Sequence, residues 1–314
     1  MTKHLSIKIL SLLALSLVLG LGQVFAQSTT TGGIGGTVTD PQGSVVPSAT
    51  VTVTNIATNS AVTVTSTDNG GYRVTNLQPG VYRVEVTVAG FAPAKAENII
   101  VEVGRSTPLD IPLTLGTAVA EVNVTAEAPV VNTNDNANAS NFDQTQINEL
   151  PINGRRWSNF ALLSPTAVPD GTFGLISFRG ISGLLNNNTI DGGDNNQAFF
   201  SEERGRTRIN YSISQAAIRE FQVNTSNYSA EYGRSAGGVT NAVTKSGTNK
   251  FHGEAFYYNR NNRNGARNPL QFVGDINGVQ QPVKPVDLRE QFGGNIGGPI
   301  VKNRLFFFFN YDQQ

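Results

Sequence analysis

The chain has 314 residues, which is enough for two domains. Its 23 basic residues balance 23 acidic ones, and this balance argues against a nucleic-acid partner because such binding relies on a basic surface. Cysteine is absent, which excludes disulfides, zinc–thiolate sites, iron–sulfur clusters and thiol nucleophiles. The 33 glycines and the frequent Thr and Asn residues favour short strands and turns over helices.

Residues 1–26 have the pattern of a secretory signal peptide. Two lysines and a histidine precede an apolar run at 9–21, and small or medium residues lead up to Ala26. We therefore expect cleavage after Ala26. A membrane anchor is the alternative, but Ser, Gly and Gln interrupt the uncharged stretch, which barely reaches the roughly 20 apolar residues of a spanning helix.

Residues 28–116 predict an N-terminal immunoglobulin-like β-sandwich. Val51 and Val53 alternate with threonines, and Val84 and Val86 alternate with charged or polar residues. A period of two indicates strands with one buried face. Turn sequences rich in Asp, Asn, Pro and Gly separate these stretches, and about seven strands over roughly eighty residues are typical of this fold.

Four motifs in this segment carry a resemblance to a known family. They are GTVTDP at 36–41, VPSA at 46–49, GYRV at 71–74 and LQPGVY at 77–82. Together they resemble the carboxypeptidase regulatory-like domain. The resemblance implies an accessory fold and no peptidase chemistry, and the segment holds no set of metal ligands.

Residues 117–141 predict a linker, because they lack a sustained period and are rich in Ala, Asn and Val. The linker contains a strand-forming segment made of Glu121, Val122, Asn123, Val124, Thr125 and Ala126. One interpretation is a last edge strand of the sandwich. The other is a peptide that adds a strand to the sheet of another protein. In this second interpretation the segment resembles the TonB box of outer-membrane receptors, which implies a TonB-type periplasmic energy-transducing protein as partner.

Residues 142–249 predict an α/β plug domain. A helix is expected to open near Leu150 with Asn153 as its cap, and Trp157, Phe160 and Ala161 fall on one face at helical spacing. Arginines concentrate in this Gly- and Asn-rich segment, as expected of a sheet held by hydrogen bonds inside a polar lumen. An ordinary solvated surface would also explain them.

The order of four plug motifs resembles the plug of TonB-dependent receptors. They are SFRG at 177–180, TIDGG at 189–193, IREFQV at 218–223 and YSAEYGRSAGGV at 228–239. The run at 239–249 is similar to the family's plug-to-barrel junction. The segment departs from the commonest family form in a polar insertion at 194–208 and in Ala242, where the junction strand is usually more aliphatic.

Polar plug loops carry the candidate substrate-facing residues, because mobile polar loops on a rigid scaffold carry recognition. The candidates are Asn186, Asn187, Asn188, Asp194, Asn195, Asn196, Arg204 and Arg206. The oxygen-bearing residues that follow Asp191 do not have the spacing of a calcium loop. We expect no metal site, although calcium near Asp191 is left open.

Residues 250–314 predict the first strands of an incomplete transmembrane β-barrel. Strands are expected at 250–259, 291–300 and 305–311, with a long polar loop after the first and a tight turn at 301–304. The motifs at 291–300 and 306–311 look like the Oar-like branch of the TonB-dependent receptors. Three strands cannot close in lipid without unpaired backbone groups, so we expect the chain to be the N-terminal fragment of a longer protein.

The resemblance implies a mostly β protein of the cell outer membrane, surrounded by outer-membrane lipid, with its N-terminal domain in the periplasm. It implies energised uptake of a large or scarce solute, with no cofactor. The alternative is a secreted β-rich adhesion or carbohydrate-binding module, which does not explain the aromatic strand pair. An enzyme would have to use His252, the sole histidine after cleavage, which falls in a predicted strand. The solute, the choice between import, export and signalling, and the number of barrel strands are left open.

Overall fold

We describe the protein from a computed structural model, which covers residues 30–116, 137–150, 152, 155–171, 175–198, 213–274, 278–286 and 288–313. The expected signal peptide lies outside these residues. Within them the chain is mostly β and forms, in chain order, a sandwich, a plug sheet and a three-stranded barrel sheet. In this part of the chain, no helix has the length and apolar character needed to cross a membrane.

The N-terminal sandwich is built from two four-stranded sheets. Its strands are β1 (Gly32–Thr39), β2 (Thr50–Asn55), β3 (Ala61–Thr65), β4 (Gly71–Leu77), β5 (Gly80–Thr87), β6 (Ala94–Val101), β7 (Ser106–Pro108) and β8 (Ile111–Pro112). One sheet has the order β4-β1-β7 with β8 also pairing with β1, and the other has the order β3-β2-β5-β6. The valines at 51, 53, 84 and 86 are fully buried in its core. The predicted sandwich is confirmed.

The plug is a five-stranded sheet covered on one face by short helices. Its elements are β9 (Asn138–Phe142), α1 (Gln144–Glu149), 3₁₀ helices at Trp157–Leu163, Gly183–Leu185 and Gln215–Ala217, and strands β10 (Ala167–Asp170), β11 (Leu175–Phe178), β12 (Asn187–Ile190), β13 (Gly193–Asp194), β14 (Ile218–Ser226) and β15 (Val239–Thr244). The sheet order is β13-β12-β15-β14-β9, with β12 and β15 parallel and the other pairs antiparallel. β10 and β11 form a separate hairpin.

The predicted helix near Leu150 is wrong in position. Helix α1 ends before Leu150, which is extended, and Asp143 starts the helix through a capping box with Gln146. The next turn is a 3₁₀ helix that begins at Trp157, while Asn153 lies outside the described residues. Trp157 is nevertheless fully buried, as its spacing from Phe160 and Ala161 suggested.

Aromatic packing fixes these helical turns on the sheet. The ring centroid of Phe221 in β14 lies 4.8 Å from that of Phe142, 5.5 Å from that of Phe160 and 6.0 Å from that of Trp157. All four side chains belong to one buried cluster that also includes Ile147 of α1. β9, which supplies Phe142, begins at Asn138, so the plug sheet takes its edge strand from the end of the segment expected to be linker.

The barrel sheet is an antiparallel meander of three strands. They are β16 (His252–Asn261), β19 (Leu288–Val301) and β20 (Leu305–Gln313), in the order β16-β19-β20. These strands confirm the three predicted at 250–259, 291–300 and 305–311. The long connection from β16 to β19 contains a 3₁₀ turn at Asn262–Asn264 and a small hairpin of β17 (Phe272–Gly274) and β18 (Gln280–Pro282), which sequence reasoning missed.

Candidate functional site

The plug lies against one face of the barrel sheet, and this face is polar along much of its length. Ser214 Oγ donates to Asp312 Oδ2 of β20 at 2.6 Å, and Asn295 Nδ2 of β19 donates to the Ala216 carbonyl at 3.4 Å. Asn295 is buried at this contact, as is Gln291. Strand alternation places these side chains on the inward face. The inward face therefore meets the plug through hydrogen bonds, as expected for a sheet lodged in a polar lumen.

Two further contacts join the plug to β16. The Arg155 guanidinium lies 4.6 Å from the ring centroid of Phe256 and 4.3 Å from that of Tyr258. Such cation–π contacts are worth roughly 0.5–2 kcal/mol, depending on how far water is excluded. Lys245 Nζ, just after β15, lies 4.0 Å from Glu254 Oε2. The plug is thus held along the length of the first barrel strand.

The opposite face of the barrel sheet is apolar and exposed. Its large side chains are Phe251, Tyr257, Phe292, Ile296, Ile300, Leu305, Phe309 and Tyr311. The register sets Tyr257 beside Phe292 and Ile296 beside Phe309, so that the apolar side chains form a continuous band. An apolar outward face opposite a polar inward face is the pattern of a strand that separates lipid from a lumen.

A cavity of about 290 Å³ lies between the plug and the barrel sheet, lined by Ile152, Arg155, Tyr258, Asn259, Arg260, Arg289 and Gln291. Arg260 and Arg289 are direct partners in the β16–β19 register, so three guanidinium groups line one space. Sequence reasoning did not single out Arg260 and Arg289. The alternation that puts Tyr258 and Gln291 on the inward face could have identified them.

The three asparagines Asn186, Asn187 and Asn188, predicted to lie in a substrate-facing loop, are buried in the structure. Asn186 Nδ2 donates to the Ile176 carbonyl at 2.6 Å, and its Oδ1 accepts from the Gly238 amide at 3.0 Å. The other two belong to β12, which pairs with the central strand β15. Their expected exposure to substrate is therefore wrong, because their amides satisfy polar groups within the fold.

Buried asparagine side chains also hold the turn that follows β12. Asn196 Oδ1 accepts from the backbone and side-chain amides of Asn188 at 3.1 and 3.0 Å, and Asn196 Nδ2 donates to Asn187 Oδ1 at 2.8 Å. Asn195 and Asn196 are both buried. Asp194, in contrast, is exposed and forms an ion pair with Arg234. Among the described candidates Asp194 is thus the exposed one, and Arg204 and Arg206 lie outside the described residues.

Asp191 has a structural role in the plug. Its Oδ1 accepts from the Thr244 amide at 2.9 Å and its Oδ2 accepts from Thr244 Oγ1 at 2.7 Å. These bonds tie the turn after β12 to the end of β15. In the described part of the chain, no group of three or more His, Asp or Glu side chains could hold a metal ion.

The sandwich docks on the plug through the turn between β6 and β7. The Val103 amide donates to Glu220 Oε1 at 2.9 Å. The Val103 carbonyl accepts from Asn141 Nδ2 and from Gln222 Nε2, both at 3.1 Å. Glu220 and Gln222 lie in β14 and Asn141 in β9, and the first two are buried. Sequence reasoning missed this interface, because each residue taken alone resembles an ordinary strand position.

Burial at this interface changes the protonation of Glu220. The pKa of Glu220 is raised to about 7, chiefly because burial removes solvent from the carboxyl. The nearby Glu102 carboxylate also raises this pKa, whereas the bond from Val103 and the Arg219 charge lower it. Burial also lowers the pKa of Arg219 below its usual value. Desolvation thus disfavours the charged forms of both Glu220 and Arg219 where the sandwich meets the plug.

The sandwich also contacts the barrel sheet at the turn between β19 and β20. Asn59 Nδ2 donates to Asn303 Oδ1 at 2.9 Å, and the Asn249 amide donates to the Ala57 carbonyl at 2.9 Å. Asn249 and Asn303 are themselves linked, because the Asn303 amide donates to Asn249 Oδ1 at 2.8 Å. The sandwich thus touches both the plug and the barrel sheet.

Two domain families match this chain. Residues 33–114 match the carboxypeptidase regulatory-like domain, and residues 243–314 match the outer membrane beta barrel domain. The first range corresponds to the sandwich, and the second runs from the end of β15 through the barrel sheet. The second match assigns this part of the chain to the outer membrane.

A curated relative aligns with nearly the whole chain. The TonB-dependent transporter Oar of Myxococcus xanthus is 30% identical over 299 residues, which are 91% of this chain and 27% of Oar. This chain therefore spans well under half the length of that relative. The relative is a transporter, which agrees with the expectation that the chain is not an enzyme.

Solved structures give weaker likenesses. The siderophore receptor PirA from Acinetobacter baumannii has a TM-score of 0.39 and 20% identity, covering 56% of this chain and 24% of PirA. A streptococcal ancillary pilin has a TM-score of 0.24 and 15% identity, covering 28% of this chain and 33% of the pilin. Both TM-scores are low, and neither likeness adds to the assignment. On the domain matches and the relative, the chain is a homologue of the TonB-dependent transporter Oar, with a carboxypeptidase regulatory-like domain, a plug and strands of an outer-membrane β-barrel.

Proposed function

We propose that this chain is the plug-bearing part of an outer-membrane transporter that takes up a large or scarce solute through a β-barrel, with energy from a TonB-type periplasmic protein. The observation that carries the proposal is the two-faced barrel sheet. Its apolar face, which includes Phe292, Ile296 and Phe309, suits lipid, and its polar face holds the plug. A secreted adhesion or carbohydrate-binding module would not require such an apolar face.

We place the sandwich in the periplasm. Outer-membrane barrels have short turns on the periplasmic side and long loops on the outer side. The β19–β20 connection is a tight turn that contains Asn303, and the sandwich contacts this turn through Asn59. The long β16–β19 connection then faces the outside. This orientation supports a periplasmic sandwich below the plug.

The solute contacts that we propose are fewer than the sequence suggested. Asp194 is exposed beside Arg234, and Arg204 and Arg206 belong to the same polar insertion. The cavity near Arg260 and Arg289 supports a second contact region between the plug and the barrel wall. The buried asparagines Asn186, Asn187, Asn188, Asn195 and Asn196 support these surfaces from within.

The proposed TonB contact is the segment Glu121, Val122, Asn123, Val124, Thr125 and Ala126, which lies outside the described residues. Strand addition depends on backbone hydrogen bonds, and proline removes a donor and fixes φ. We expect Val122→Pro and Val124→Pro in the full-length receptor to reduce binding of the purified periplasmic TonB domain at least about tenfold.

The matched control is Val122→Thr, which keeps the β-branched shape and should bind nearly as the unchanged receptor does. Binding is measured by isothermal titration calorimetry with the detergent-solubilised receptor. Unchanged affinity of both proline variants would contradict a TonB contact at this segment and would favour the interpretation as an edge strand of the sandwich.

A further inference from the structure

A buried turn residue of the sandwich, Val103, contributes both of its backbone polar groups to the contact with the plug. Both the amide and the carbonyl of Val103 have their partners on the plug, and Val103 is fully buried. The next residue, Gly104, has φ of +67°, and a Cβ there would lie 2.5 Å from Gln222 Oε1. The turn therefore enters a close-fitting polar socket formed by Asn141, Glu220 and Gln222.

The same sandwich holds the barrel sheet. Its β2–β3 turn supplies Asn59 and Ala57, which bond to Asn303 and Asn249. Asn249 is the last residue of the plug-to-barrel junction, and Asn303 lies in the turn between two barrel strands. The sandwich thus bridges the plug and the barrel at one end of both. A body that binds both parts resists their separation.

The socket is connected directly to the segment on which a periplasmic motor would pull. Residues 117–136 join the sandwich to β9, and β9 is an edge strand of the plug sheet with β14 as its neighbour. Tension applied through these residues acts first on Asn138 and can separate an edge strand from its neighbour pair by pair. When β9 leaves, Asn141 leaves with it, and the Val103 carbonyl and Glu220 lose a partner.

We propose that the N-terminal sandwich is a latch that fastens the plug to the barrel, and that displacement of β9 releases the latch by removing Asn141 from the socket. This inference rests on the proposed transport function, because it describes how the plug is retained until the linker is pulled. The sandwich then has a mechanical role that follows from its docking and not from any ligand of its own.

Gly104→Ala tests the docking in the full-length receptor. The added methyl collides with Gln222, and the left-handed backbone is strained. Gly43→Ala is the matched control, because Gly43 has φ of +82° and no described atom lies within 4 Å of the position that its added methyl would take. We expect Gly104→Ala to speed amide hydrogen exchange in 138–142 and 218–223 by at least about tenfold over Gly43→Ala. Equal exchange in the two variants would overturn the latch.

Asn141→Ala tests the link through β9. Its control is Asn138→Ala in the same strand, where the side chain is exposed. Asn141→Ala should speed exchange around Val103 and Glu220, whereas Asn138→Ala should leave it unchanged. The same rate in both variants would show that β9 does not hold the sandwich, and the release step would be wrong.

Potassium chloride conductance of the full-length receptor in planar bilayers tests retention of the plug. Urea is raised until the channel opens, and Gly104→Ala should open at a lower urea concentration than Gly43→Ala. Opening at the same concentration in both variants would overturn the latch and leave the transport function standing. A receptor that conducts at no urea concentration would contradict the transport function and the latch together.

Discussion

At the scale of single residues, buried polar side chains determine the architecture around the plug. Asn186 and Asn196 were predicted to face the substrate, since mobile polar loops carry recognition, yet their amides pair with groups brought close by the folded sheet. The sequence holds no local signal for such pairing, because Asn186 meets Gly238 and Ile176 across the fold. Valines at alternate positions, in contrast, predicted their own burial correctly in the sandwich.

Glu220 gives a prediction for pH dependence. The pKa of Glu220 is raised from 4.5 to about 7 in the folded protein, so the folded state favours the protonated carboxyl. The stabilisation is fully present below pH 4.5 and is lost as the pH rises through about 7. A shift of one pH unit in pKa corresponds to about 1.4 kcal/mol, so the free energy of unfolding falls by on the order of 3 kcal/mol over this range.

The matched variant is Glu220→Gln, which stays neutral and keeps an oxygen that can accept from the Val103 amide. Amide exchange in 218–223 of the unchanged receptor should quicken between pH 5 and pH 8 after correction for the intrinsic pH effect, and Glu220→Gln should remove this increase. Identical profiles for the two proteins would refute a titrating Glu220 at the interface.

At the scale of elements, strands with one buried face were predictable and irregular elements were not. β19 is visible in the sequence because Phe292 and Ile296 fall on one face, and β16 and β20 are visible because they are rich in aromatic residues. β9 has the polar sequence NASNF, and its pairing with β14 is determined by a partner some eighty positions away. The spacing of Trp157 and Phe160 suits an α-helix and a 3₁₀ helix equally, so the helix type was not decided by it.

Helix α1 offers a test at this scale. Asp143 Oδ1 accepts from the Gln146 amide at 2.8 Å, and Gln146 Oε1 accepts from the Asp143 amide at 3.1 Å. Asp143→Ala should destabilise the helix by about 1 kcal/mol, since it removes this capping box. The rate of amide hydrogen exchange in residues 144–150 should therefore rise. Glu149→Ala, an exposed change at the end of α1, is the control, and equal exchange in the two variants would argue against the cap.

At the scale of the whole molecule, the order of sandwich, plug and barrel sheet was predictable from motifs, whereas the contacts between these parts were not. The matches at 33–114 and 243–314 agree with the sandwich and barrel assignments. The docking of Val103 on Glu220 joins residues that are 117 positions apart, and no local pattern marks them as partners. Such contacts depend on how whole domains approach each other.

The central claim is that the three-stranded sheet is a wall between lipid and a plugged lumen. Site-directed spin labelling along β20 in the full-length receptor, reconstituted in lipid, tests it most directly, since single cysteines can be placed at each position of 305–313. Labels at Phe307, Phe309 and Tyr311 should be relaxed by oxygen, which concentrates in lipid, and shielded from a water-soluble nickel chelate. Labels at Asn310 and Asp312 should be shielded from lipid-dissolved oxygen because they face the plug. If accessibility to the nickel chelate did not alternate between successive positions along β20, the sheet would not be a wall between lipid and a lumen.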